Sequence, residues 1–232
     1  MDILETKMKF PLYILLIFLC ILGALSSEIE IQDENYWDYI LFVQTWPPSI
    51  LDNTTNYPYY NNYFTIHGIW PEYLNGGYPV YCNITSFDIV KLYPIISELS
   101  VYWTDFINPI TFIEHEYYKH YSCAKNDNYL SNELAYFSQG LQLRNELNFY
   151  QILKNKNIVP NNNILYKKQY LIDAIFQYIE VYPILTCSNN NVLNQIIICY
   201  RKDLHKIMCP NNLYQMECKS DTIIYNTYTQ SS

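Results

Sequence analysis

The stretch Asp38-Tyr39-Ile40-Leu41-Phe42-Val43-Gln44-Thr45-Trp46, closed by Pro47-Pro48, decides the fold. It is apolar, rich in aromatic and branched side chains, and too short for an ordinary helix, so it predicts a central β-strand. A polar Asn/Asp/Thr/Pro/Tyr loop follows through about residue 62. A second strand is expected from Tyr63 to Ile69, with the ladder stopping at Trp70-Pro71 because proline has no N–H to donate.

Downstream the pattern turns helical. Ser86 is a candidate N-cap for a run reaching Trp103 that contains Pro94. Asn108-Pro109 breaks the chain, and a helix over 112–123 is expected after it. Ser131 is placed as the cap of a long helix over 132–155, with Leu134, Phe137, Leu141 and Leu147 apolar. A shorter helix spans about 168–180, before Pro183. Residues 192–200 and 203–209 read as paired strands, and 222–225 as a last one. No repeat or linker divides the chain. Strands and helices mix without regular alternation, which points to an α+β fold: a central, mostly antiparallel sheet flanked by helices and stapled by disulfides.

Residues 1–27 read as a signal peptide, leaving 28–232 as a single domain. Lys7 and Lys9 precede an apolar run from Phe10 to Leu22, and the small residues Ala24, Ser26 and Ser27 follow it. The run is shorter than the roughly 20 residues that a membrane-spanning helix needs. The expected destination is the secretory route, with the protein secreted or held in a lysosome or vacuole, and no membrane span in the mature chain. Of seven cysteines, Cys20 leaves with this segment. Cys82, Cys123, Cys187, Cys199, Cys209 and Cys218 remain, an even set that reads as disulfides in an oxidising compartment. Spacing alone does not choose the pairing. Sequons at Asn53 and Asn83 fit a glycosylated exported protein.

The net charge is −8, which excludes a protein that holds nucleic acid by coating it with cations. An RNA-handling activity would have to come from a local pocket and turnover, with no stable complex.

Three of the four histidines fall in two compact segments. The first is Phe64-Thr65-Ile66-His67-Gly68-Ile69-Trp70-Pro71. The second is Phe112-Ile113-Glu114-His115-Glu116-Tyr117-Tyr118-Lys119-His120-Tyr121-Ser122-Cys123. On a helix, His115 faces Lys119 and Glu116 faces His120 at i, i+4. A zinc-protease signature needs two histidines at i, i+4. Here they stand at i, i+5, about 140° apart on a regular helix, so the spacing predicts no shared metal. RNA supplies its own nucleophile, the 2′-hydroxyl. Cleaving it requires a base, an acid and cationic help for the phosphoryl oxygens, which imidazoles and a lysine provide.

These two segments resemble the paired motifs of the ribonuclease T2 family, Phe-Thr-Ile-His-Gly-Leu-Trp-Pro and Trp-x-His-Glu-(Trp)-x-Lys-His-Gly-Thr-Cys. Gln44-Thr45-Trp46-Pro47, the Tyr73–Pro79 segment before Cys82, and the last four cysteines extend the resemblance from residue 36 to about 225. The resemblance implies metal-independent and cofactor-free cleavage of single-stranded RNA to 2′,3′-cyclic phosphate ends by a monomer. It places the general acid at His67 and the general base at His120. Phosphate binding falls to His115, and transition-state stabilisation to Glu116 and Lys119. It sets Trp70, Glu72 and Tyr78 in a base pocket and Gln44 at a second base site. It also pairs Cys82–Cys123, Cys187–Cys218 and Cys199–Cys209. Departures are Ile69 for leucine, Ile113 and Tyr117 for tryptophans, and Tyr121 for a glycine, where a tyrosine could crowd the cleft. A weakened or inactive binding protein on the same scaffold is the alternative. His205 lies outside both motifs and is read as structural or exposed.

Overall fold

A computed structural model describes residues 36–51, 62–83 and 85–227. The proposed signal peptide and the Asn53 sequon lie outside them. The first strand, β1 (Tyr39–Thr45), is buried along its whole length. It sits between β2 (Thr65–Glu72) and a later strand, β5 (Leu193–Arg201), antiparallel to both. Contrary to the expected stop, β2 runs through Pro71 to Glu72, with Pro71 opposite Ile40. It is the outermost strand on its side, and an edge strand tolerates a residue with no N–H to donate.

The first helical region begins later than expected. Asp88, not Ser86, caps it by accepting from the Val90 N–H. A tight 3₁₀ stretch over Ile89–Ile95 holds Pro94, and regular α1 (Ile96–Tyr102) starts only beyond it. Proline cannot donate an i→i−4 bond, so the α pattern waits until the ring is passed. Asn108-Pro109, read as a break, opens α2 (Pro109–Glu116) instead: the Asn108 side chain accepts from the Thr111 N–H, and proline takes the first position, where no N–H is needed. A π turn (Tyr117–Tyr121) and a last turn (Ser122–Ala124) continue it. The long helix expected over 132–155 is two. Asn132 rather than Ser131 caps α3 (Glu133–Glu146), and Asn148 caps α4 (Phe149–Lys154) after a kink at Leu147. In each case the asparagine next to the helix outcompetes a nearby serine or no cap at all.

The expected last strand is present as β7 (Thr222–Ile224), and it pairs with β3 (Leu165–Lys167), a strand that pattern reading missed. Between them come α5 (Lys168–Ile179), β4 (Ile184–Cys187), β5 (Leu193–Arg201) and β6 (Lys206–Ile207). The main sheet runs β2-β1-β5-β4, with β6 on β5, and these neighbouring strands are all antiparallel. The α+β expectation therefore holds.

The sheet has two unlike faces. Ile40, Phe42, Ile66, Ile69, Ile196 and Ile198 point to the helices and pack with Trp103, Phe137 and Leu141 in the main core. Tyr39, Leu41, Val43, Ile197 and Cys199 point the other way, to a smaller core with Leu213. A 3₁₀ segment, Asn211–Met216, supplies that cover. Disulfides Cys199–Cys209 and Cys187–Cys218 fix its two ends, while Cys82–Cys123 ties the loop after β2 to the end of the π turn. The implied pairing is the one present. Each such crosslink stabilises by roughly 2–4 kcal/mol through the unfolded state.

Candidate active site

His67 owes its position to a fault in β2. In strict alternation it would share the face of Ile69 and enter the helix-packed core. The register slips between Val43, opposite Gly68, and Gln44, opposite Ile66, leaving His67 as the extra residue of a bulge. Ile66 and Ile69 both keep the core face, and the His67 ring is re-aimed, a common use of bulges. It meets Trp70 at 4.8 Å and Phe112 at 5.8 Å. Its Nδ1 lies 2.6 Å from the side-chain amide nitrogen of Gln195 on β5. With that amide donating, Nδ1 is the acceptor and the ring proton resides on Nε2. The bulged carbonyl of His67 has a partner too: the buried Trp103 indole N–H donates to it at 3.1 Å. Gln195 and Trp103 were not anticipated. A glutamine in a strand and a tryptophan at a helix end carry no local signal of what lies across the fold.

The second segment departs from the regular helix assumed above. A π turn carries one extra residue per turn, so positions i and i+5 approach one face. His115 and His120 are accordingly 6.5 Å apart between ring centres. Ligand-capable atoms of His115, Glu116 and His120 all lie within 4.8 Å of one another. The divergence of 140° expected from the 3.6-residue period does not hold, and spacing alone does not exclude a cation here. The carbonyl of Lys119, within this turn, accepts from the Tyr81 N–H at 3.1 Å. That bond and the adjacent Cys82–Cys123 bridge hold the turn against the loop after β2.

Trp70 joins the two segments. One face of its indole stacks on His120 at 5.2 Å, nearly parallel, and its edge meets His67. Its N–H donates to Glu116 Oε2 at 3.0 Å, and the other carboxyl oxygen is 4.0 Å from His120 Nε2. Gly68 makes room for this pair. A Cβ there would fall 2.0 Å from the Trp70 indole nitrogen and 2.2 Å from Glu116 Oε2.

Burial dominates the electrostatics. Glu116 is 1% exposed and His120 4%. Desolvation pushes the Glu116 carboxyl up to about 8, against the pull of the Trp70 hydrogen bond and Lys119. Desolvation, then Lys119, His115 and His67, hold His120 down to about 2. Low dielectric favours the neutral form of both. His67 is lowered to about 4 by burial, then by Lys119 and His115. The more exposed His115 is lowered by the same kind of causes, burial and then Lys119. His120 Nδ1 has no hydrogen-bond partner among the described residues, so the protein leaves its tautomer free.

A cavity of about 380 Å³ opens beside this cluster, lined by Trp70, Glu72, Tyr78, Lys119 and His120 together with Asn212 and Gln215. The expected base-pocket residues thus share a wall with two catalytic candidates. Glu72 is buried, and desolvation raises its carboxyl to about 8. Gln44 is a correction. It points to the opposite sheet face from Leu41, is 1% exposed, and donates to the Leu147 carbonyl at 3.0 Å. Period-two alternation takes it out of the cleft. Tyr121 is buried against Tyr117 and Tyr136 and does not crowd the cleft. His205 is exposed and pairs with Asp203 at 3.2 Å. Asn83 is exposed and its carbonyl accepts from Lys125.

A model of the ribonuclease T2 family matches residues 37–218. The chain is 31% identical over 203 residues to Ribonuclease DdI of Dictyostelium discoideum, covering 85% of this chain and 90% of that one. It is 33% identical over 200 residues to Extracellular ribonuclease LE of Solanum lycopersicum, covering 79% and 84%. Among solved structures, RNase NT in complex with 5′-AMP superposes with a TM-score of 0.70 at 28% identity, covering 82% of this chain and 98% of that one.

Proposed function

Because the chain belongs to the ribonuclease T2 family and is therefore an endoribonuclease, we propose that it cuts single-stranded RNA by metal-independent transphosphorylation. His120, held neutral, takes the proton of the 2′-hydroxyl. The 2′-oxygen then attacks phosphorus, and the bond from phosphorus to the 5′-oxygen breaks. His67 donates its Nε2 proton to that departing oxygen, leaving a 2′,3′-cyclic phosphate. His115 and Lys119 offer positive charge to the phosphoryl oxygens. Glu116, kept protonated by burial, donates a hydrogen bond to the same oxygens where a carboxylate would repel them.

The observation that carries this reading is the contact of both the His67 and His120 rings with the one Trp70 indole. It supports an acid and a base acting across a single small space. Trp70 and Glu72 then hold the base, with stacking tolerant of base identity. We further propose export by residues 1–27, a secreted or lysosomal location, glycans on Asn53 and Asn83, and a monomer with RNA as substrate. No helix among the described residues is long and apolar enough to cross a membrane.

The test is a digest of single-stranded RNA by the mature protein in EDTA, with end-group analysis. Cyclic ends are expected, and their loss in His67→Phe and His120→Phe variants of unchanged fold. No cleavage from about pH 4 to about pH 8 would instead favour a binding protein on this scaffold. Inhibition by EDTA would favour a cation at His115, Glu116 and His120.

A further inference from the structure

We propose that Asn212 and Gln215 read the edge of the substrate base held against Trp70. This rests on the ribonuclease reading above and assigns the specificity that it leaves open. The two amides line the same cavity as Trp70 and Glu72. The Asn212 side-chain nitrogen sits beside the Gly76 turn, 3.7 Å from where a Cβ there would lie. Among the described residues, neither amide has a hydrogen-bond partner, although both belong to an ordered turn. The turn is rigid: disulfides anchor Cys209 to Cys199 and Cys218 to Cys187, and Leu213 is buried beneath it. Free polar groups on a stapled support are suited to recognition, since little ordering is left to do on binding.

A primary amide presents one donor group and one acceptor, and it can turn over to exchange them. It can therefore meet the amino-bearing edge of adenine or cytosine as well as the carbonyls of uracil. The Asn212–Gln215 pair would thus let one pocket take several bases, with Trp70 supplying the stacking face. Replacing the amides with carboxylates fixes their polarity as acceptors. Bases that offer an amino group then gain over uracil, whose carbonyls face like charge.

The experiment uses the mature protein and its N212D/Q215E variant, with Q215E alone as a milder second form. It is run near pH 6, where the new carboxylates are ionised. Two readouts are taken. One is kcat/KM on dinucleoside monophosphates with one base varied at a time. The other is binding of 5′-AMP against 5′-UMP by calorimetry, which needs no turnover. The adenine-to-uracil ratio is expected to rise about tenfold in both. Unchanged ratios in both variants overturn the assignment while leaving the ribonuclease reading intact. If the wild-type protein cuts no RNA, that reading falls, and the nucleotide-binding ratio alone still decides whether these amides face a base.

Discussion

His67, Glu116 and His120 are controlled by what surrounds them more than by their own chemistry. In the proposed mechanism the productive state of the free enzyme pairs neutral His120 with protonated His67. Burial holds the first down to about 2 and the second to about 4, so this state is most populated in acid between those values. A bound phosphodiester adds a negative charge beside both rings and favours their protonated forms. The descending limb of kcat/KM is therefore expected in acid, and that of kcat at higher pH. Coincident limbs in pH–rate profiles would contradict the assignment of His67 as the acid. Gln195 bears on the same ring at Nδ1: its amide nitrogen donates there when the ring is neutral, and with the amide turned its oxygen accepts from Nδ1–H when the ring is protonated. The Gln195→Leu variant should lose turnover by about 10- to 100-fold through misplacement of the ring. Its kcat should fall with KM little changed, measured on a dinucleoside monophosphate. A loss confined to KM would show instead that Gln195 binds substrate.

At the scale of elements, the site depends on two departures from regularity, a bulge in β2 and a π turn after α2. Each leaves backbone groups without ladder partners, and each is supported from another element. Trp103 donates to the His67 carbonyl, and the Tyr81 N–H donates to that of Lys119. Trp103→Phe keeps an aromatic side chain but removes the N–H donor along with part of the buried indole. It should destabilise the fold by about 1–3 kcal/mol, the cost of a buried carbonyl left unpaired, as read by urea denaturation, and lower activity with it. Normal stability would mean that the bulge does not need this bond. Pattern reading found both elements because apolar spacing and flanking prolines survive such faults. It placed His67 and Gln44 by motif alone, and only His67 reaches the cleft. A bulge in β2 turns His67 around, while regular alternation along β1 keeps Gln44 in the core.

For the whole molecule the decisive quantity is charge. The chain carries a net −8, while its substrate is a polyanion. Long-range repulsion opposes encounter, and the site itself offers the Lys119 cation locally. Added salt screens the repulsion over a Debye length of roughly 8–10 Å. For a long RNA at neutral pH, kcat/KM should hold or rise as NaCl goes from about 0.01 to about 0.15 M. A basic binder would lose orders of magnitude over that range, and a steep fall here would point to an unrecognised phosphate-binding surface.

The α+β class, the even set of cysteines and the two histidine segments were all determined by sequence. They depend on composition, spacing and residue type, which are local or additive along the chain. The tertiary structure alone decided which way His67 faces, that His115 and His120 share a face, and that Gln44 is core. It also brought in Gln195, Trp103, Asn212 and Gln215. These are contacts between strands, turns and helices far apart in the chain, set by a single extra residue in a ladder or a turn. A one-residue slip reverses a side chain's direction without altering any apolar pattern that a reader of the sequence could see.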